Sequence, residues 1–154
     1  MTRRNHNAYR TVLTLLATLF VFLALTPASR ADGAKQAFSA RSIEGRWGFS
    51  GEFGMIVPPA AAQPAPTAAI GIVVFDGKGG CTVTSITNVN GTIAGPLTSH
   101  TCTYSVNADG TGTSVAEFAG QPPATVAFVI VDRNREIRFI NTNAIVAGFT
   151  AKRQ

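Results

Sequence analysis

The sequence predicts an all-β protein, a single up-and-down antiparallel barrel of about eight strands behind an N-terminal signal helix. Three observations carry this. Beyond residue 31 no long segment repeats with a helical period. Short apolar stretches rich in β-branched residues recur instead, at 46–55, 68–76, 80–89, 98–106, 112–119, 124–132, 135–141 and 144–150. The connections are too short to join parallel neighbours, so each strand pairs with the next, and closing the ribbon removes its two edges. Eight strands enclose an interior that side chains fill or that holds one small ligand.

The first 31 residues read as a secretory signal peptide. "MTRRNHNAYR" is basic, Val12 to Leu25 is an apolar run, and Ser29 and Ala31 are the small residues of a cleavage site. The apolar run is shorter than the ~20 residues of a spanning helix. Cleavage after Ala31 leaves no stable membrane insertion and implies export to a periplasm or beyond. Residues 32–44, "DGAKQAFSARSIE", read as a flexible leader, and 45–154 as the barrel domain.

Processing changes the charge argument. Thirteen basic residues fall to nine against eight acidic ones, and the formal charge falls from +5 to +1. The high calculated pI is therefore no case for nucleic acid. Arg133, Arg135 and Arg138 cluster, but Asp132 and Glu136 are interleaved with them, as at a solvated hairpin tip.

Turn chemistry punctuates the strands. "FDGKGG" and "NADGTG" supply Asp-Gly steps, and "DRNRE" and "NTNA" supply Asp or Asn. The Pro/Ala-rich run from Pro58 to Ala69 is expected as a long surface loop over one mouth of the barrel.

The first strand, "GRWGFSGEFG", places Trp47, Phe49 and Phe53 at alternate positions, and hence on the interior face. Arg46, Ser50 and Glu52 then face out. Tyr104, Phe128 and Phe139 complete the expected apolar lining of a ligand site. Cys81 and Cys102 fall opposite each other in a hairpin centred between Gly91 and Thr92 and are expected to form a disulfide, as an exported chain allows.

Catalytic chemistry finds little footing. His100, the one histidine after residue 31, stands near a strand start, and Glu117 is expected to face water while Ala116 and Phe118 face in. "NADGTG" lacks the acidic ligands of a calcium loop, and "FDGKGG" lacks the spacing of a phosphate loop. No catalytic residue, metal site or cofactor is assigned. Two strands, "AIGIVVF" and "ATVAFVIV", are apolar on both faces. Their outer faces, read as Val73 and Phe75 on 68–76 and Ala127, Val129 and Val131 on 124–132, predict a homo-oligomer.

At Gly45-Arg46-Trp47 the chain resembles the lipocalin and wider calycin barrels. That resemblance implies a tryptophan closing one barrel end under a basic residue from near the last strand, here Arg138, Lys152 or Arg153. The Thr-Asp-Tyr signature of lipocalins is absent. The mature pattern is also similar to small exported bacterial proteins of unknown function with an allene oxide cyclase-type barrel. The matching residues are Gly45, Trp47, Phe49, Gly71, Phe75, Asp76, Gly77, Gly79, Thr82, Tyr104, Val106, Asp109, Gly110, Gly112 and Thr113. This implies a barrel and trimeric assembly and carries over no active-site group. The reading is non-enzymatic binding of a small apolar ligand or a protein partner. The alternatives are a cyclase or isomerase using Glu117 or Tyr104, and a structural envelope-associated protein.

Overall fold

Nine antiparallel strands form one sheet: β1 (Gly45–Ile56), β2 (Ala65–Phe75), β3 (Cys81–Val89), β4 (Thr92–Thr98), β5 (Thr101–Val106), β6 (Thr111–Glu117), β7 (Ala124–Val131), β8 (Glu136–Asn141) and β9 (Ile145–Arg153). The computed structural model describes residues 37–154, so the expected signal peptide and the first part of the leader lie outside the described residues. The order is β4-β3-β2-β1-β9-β8-β7-β6-β5. First and last strands pair, Trp47 opposite Arg153 and Ile56 opposite Ile145, so the break in the ladder falls midway along the chain.

That break is closed between β3 and β5. Gly80 bridges Thr103, the Tyr104 amide donates to Gly79 O at 2.8 Å and the Ser99 amide to Val83 O at 2.9 Å. The Cys81–Cys102 disulfide crosses the same seam with its Cα atoms 4.8 Å apart. The pairing is the expected one, but its geometry differs. Cys102 is not a ladder partner of Cys81 in a hairpin; it arrives on β5 after the chain has left β3's edge as β4 and returned.

β4 is the ninth strand, where the sequence predicts only a connection. Asn90 and Gly91 both adopt left-handed conformations (φ 49° and 87°). They form a two-residue turn between the paired Val89 and Thr92, and Asn88 Oδ1 accepts the Gly91 amide at 2.9 Å. Pro96 disguises the strand, but β4 is an edge, where a missing donor is tolerated. The Pro/Ala loop is likewise shorter than expected, because Ala65 to Ala69 belong to β2. Pro66 sits opposite Met55, and its carbonyl accepts from Asn90 at 2.8 Å. Its own nitrogen points the same way, beyond the end of β3, so the ladder loses no bond.

One barrel end holds the densest packing. Trp47 and Ile43 are 0% exposed, and Val73, Phe75, Tyr104, Phe128, Ile130, Ile137 and Ala151 are buried with them. The indole N–H donates to Ile43 O at 2.8 Å. Residues 38–44, expected as part of a loose leader, are thereby fixed: Ala40–Ile43 form a 3-10 turn, and the Phe38 amide donates to Ala108 O at 3.1 Å. The Arg153 guanidinium lies 4.6 Å from the centroid of the Trp47 ring. It also donates to the carbonyls of Ser42, Glu44 and Asn134. Of the three basic residues named above, Arg153 is the one that packs on the tryptophan.

Two facing assignments are corrected. A bulge shifts the register of β1 between Gly51 and Gly54 on both its neighbours. A one-residue slip exchanges the faces of all that follows, so Phe53 stands outside at 73% exposed. On β2 it is Val73 and Phe75 that face in, and Ile70 and Val74 that face out.

The Asp-containing turns are as expected. Asp76 Oδ1 accepts the amides of Lys78 and Gly80 at 2.7 and 2.9 Å. Asp109 Oδ1 accepts the Thr111 hydroxyl and amide at 2.7 and 2.9 Å. These donors, the Lys78 amide foremost for Asp76 and the Thr111 hydroxyl for Asp109, hold both carboxyls below the usual range. Ion pairs Arg135–Asp132 (3.1 Å) and Arg138–Glu136 (2.8 Å) make the basic cluster a mixed surface.

Three outcomes follow from this architecture. Replacing both Cys81 and Cys102 by serine should lower stability by about 3 kcal/mol and speed hydrogen exchange first at the Tyr104 and Ser99 amides. Unchanged exchange at those two amides would remove the seam from the account. Arg153→Met should cost about 1–3 kcal/mol and red-shift Trp47 emission, while Arg153→Lys, lacking the planar fork, recovers only part. Because the folded pKa of Asp76 is depressed, its contribution is full at neutral pH and disappears as pH falls through that lowered value. Urea midpoints of wild type and Asp76→Asn should therefore differ at neutral pH and converge as pH falls below the usual carboxylate range.

Candidate functional site

Five of the six expected lining residues do meet inside the barrel. Phe75 and Tyr104 make an edge contact with centroids 4.8 Å apart. A second layer holds Phe49, Phe139 and Phe149, the last two stacked at 5.0 Å and 7°, with Phe49 edge-on to both. Phe53 is absent from this group, and Phe149 replaces it.

Two of these rings pack against glycine backbone. Phe49 pairs with Gly71 across β1 and β2, and Phe128 with Gly112 across β6 and β7. A Cβ on either glycine would collide with the facing ring. Each ring thus lies flat over a neighbour with no side chain, the arrangement that lets a small barrel fill itself. The Tyr104 hydroxyl donates to Ala40 O at 3.1 Å, and burial pushes its pKa up. It is a tie to the 3-10 turn, turned away from any space a substrate could occupy.

The other expected ionisable candidates are on the surface. Glu117 Oε2 accepts from the Thr101 hydroxyl at 2.9 Å and lies 3.4 Å from His100 Nε2, with both side chains about half exposed. Ala116 faces the interior, as expected of its position. Among the described residues, no group of three His, Cys, Asp or Glu side chains converges as metal ligands.

The concave surface is outside. A groove of about 490 Å³ crosses β9, β1, β2 and β3, with Pro96 of β4 at its far lip. Strand register builds it row by row. One lateral row runs Glu136, Lys152, Gly48, Ile72, Thr84, and the next runs Arg138, Thr150, Ser50, Ile70, Ile86. Gly48 and Ser50, the two smallest members, form the floor, and the longer side chains of β2 and β9 form the walls. The Gln154 side chain folds over Gly48, where its Oε1 accepts from Arg46 Nε at 3.0 Å. The wall on β2, β3 and β4 is mostly apolar, with Ile70 58% and Ile86 39% exposed and the Thr84 hydroxyl paired with that of Thr98 at 3.0 Å. The wall on β9 is polar, with Lys152 pointing to solvent.

Sequence reasoning missed this site for a definite reason. "AIGIVVF" is apolar at every position except Gly71, so alternation cannot say which face is outer. The signal that was there is Gly48, an outward glycine between large neighbours.

No family model matches the chain, no curated protein is similar to it, and no solved structure resembles it.

Proposed function

We propose that the protein is an exported, non-enzymatic binding barrel whose recognition surface is the outer groove over β9, β1, β2 and β3. One observation carries the reading. The interior rings are pressed onto glycine backbone, while an apolar-walled volume of about 490 Å³, within the range of ligand sites, stands open outside.

Export is supported by the basic start, the apolar run to Leu25 and the small residues at Ser29 and Ala31. The Cys81–Cys102 bond agrees with an oxidising compartment, and no helix among the described residues is long and apolar enough to cross a membrane. A calycin-type ancestry is supported by the Gly45-x-Trp47 motif under Arg153. The absence of catalysis is supported by the separation of Glu117, outside, from Tyr104, whose hydroxyl is already engaged.

Self-association is a second reading, favoured by exposed Ile70 and Val74 on β2 and Val129 on β7. Such a contact would bury part of the groove's apolar wall, so the two readings compete for Ile70.

An apolar dye such as Nile red should bind the exported protein with a blue-shifted emission, leave Trp47 emission unchanged and be lost in Ile70→Lys. A dye that perturbs the Trp47 signal, or that still binds Ile70→Lys, would return the site to the lumen. Native mass spectrometry of the same two proteins separates the second reading. A wild-type oligomer that Ile70→Lys reduces to monomer assigns the apolar wall to a second copy.

A further inference from the structure

The outer groove has two chemically different halves, and the difference selects a ligand class. On the β2–β3 side, Ile70, Ile72 and Ile86 present hydrocarbon under the lip of Pro96, and the Thr84 hydroxyl beside them is paired with that of Thr98 at 3.0 Å. On the β9 side the lining is Lys152 and Thr150, with the Ser50 hydroxyl between the halves on the floor.

Lys152 keeps donors free. Its Nζ is 4.0 Å from Glu136 Oε2, too long for a close hydrogen bond, whereas Glu136 Oε1 is held by Arg138 at 2.8 Å. Glu136 is thus turned towards Arg138, and the ammonium of Lys152, three-quarters exposed, faces the groove mouth. One cation, flanked by two hydroxyls, matches a single negative charge with oxygen acceptors. From β9 to β3 the groove spans three strand spacings, roughly 14 Å, the reach of a medium-length acyl chain.

Resting on the reading of this groove as the recognition surface, we infer that it binds a free fatty carboxylate. The carboxylate lies at Lys152, Thr150 and Ser50, and the acyl chain crosses β1 over Ser50, beside the Gln154 side chain that covers Gly48, to lie along Ile72, Ile70 and Ile86. The ammonium and hydroxyl groups donate to the two carboxylate oxygens, and the chain removes apolar wall from water. Glu136 opposes the ligand, since it shares Lys152 and repels the headgroup.

Isothermal titration of the exported protein with dodecanoate, dodecanol and dodecyltrimethylammonium, each below its micelle concentration, tests this. Dodecanoate should bind tightest, and Lys152→Gln should weaken it about tenfold without affecting dodecanol. Glu136→Gln should strengthen dodecanoate binding, an effect no purely structural role of Glu136 would give. Ile70→Ser should weaken all three ligands together. All three positions lie on the outer face of the sheet, and circular dichroism checks that each variant keeps the wild-type fold.

Equal binding of dodecanoate and dodecanol, insensitive to Lys152→Gln, would overturn the carboxylate assignment and leave the groove reading standing. Failure of all three ligands would overturn both. Binding to acidic phospholipid vesicles with none to monomeric dodecanoate would overturn the free-carboxylate proposal in favour of a membrane surface.

Discussion

The stack of Arg153 on Trp47 is the contact on which the barrel's closed end depends. Trp47 opens β1 and Arg153 ends β9, and the two are direct partners across the pair that joins the first strand to the last. The indole is wholly buried and satisfied through Ile43 O. Arg153 then distributes its donors over Ser42, Glu44 and Asn134. Those carbonyls belong to the 3-10 turn, the entry to β1 and the β7–β8 turn. In that last turn Asp132, Arg133 and Asn134 all have positive φ (47°, 53° and 65°), a conformation disfavoured for residues with a Cβ. A planar fork with several fixed donors suits such a convergence; a lysine would serve one carbonyl at a time.

Closure elsewhere is unequal. Each adjacent pair from β1 round to β5 through β9 is held by a ladder, interrupted only at the bulge of β1. The seam between β3 and β5 has one bridge and a few isolated backbone bonds. A covalent bond at that point restricts the unfolded chain and keeps the weakest joint shut in the folded one. β4 explains why the joint is weak. By pairing with β3 from Thr84 to Val89 it occupies the edge that β5 would otherwise use, leaving only the first residues of β3 for closure. The exposed β4 edge is interrupted by Gly95 and Pro96, which oppose pairing with a foreign strand.

Much of this was legible from residue pattern. Alternation gave the strands, the turn residues gave most of their ends, and an isolated cysteine pair in a chain read as exported gave the bond. What escaped notice shares one cause. Facing along a strand is read by counting in twos, and a count fails wherever the chain inserts a residue or offers no contrast. The bulge between Gly51 and Gly54 puts Phe53 outside while Trp47 and Phe49 stay in. From Ala68 to Phe75 β2 has no polar residue to count from, and the inner face is chosen by partners: Val73 lies opposite Trp47, and Phe75 meets Tyr104. β4 was hidden by a proline that only its edge position permits. The groove depended on the misassigned face of β2, and so it could not have been read before the register was known.

The same strand accounts for both a filled lumen and a hollow outer wall. β1 carries glycine at 45, 48, 51 and 54, a spacing of three in an element whose faces alternate every two. Successive glycines therefore change face until the bulge intervenes. Gly51 faces in, where the Phe149 ring lies against it and no Cβ would fit. Gly48 faces out, where its missing side chain makes room for that of Gln154 between Lys152 and Ile72. Large rings inside need flat neighbours, and a recess outside needs a low strand between tall ones. Placing glycines out of phase with the pleat meets both needs in a single strand. It also moves the concave surface from the lumen to the wall, because the Phe149 ring takes up the volume that Gly51 releases inside, while outside the Gln154 side chain covers Gly48 and the recess opens beside it over Ser50.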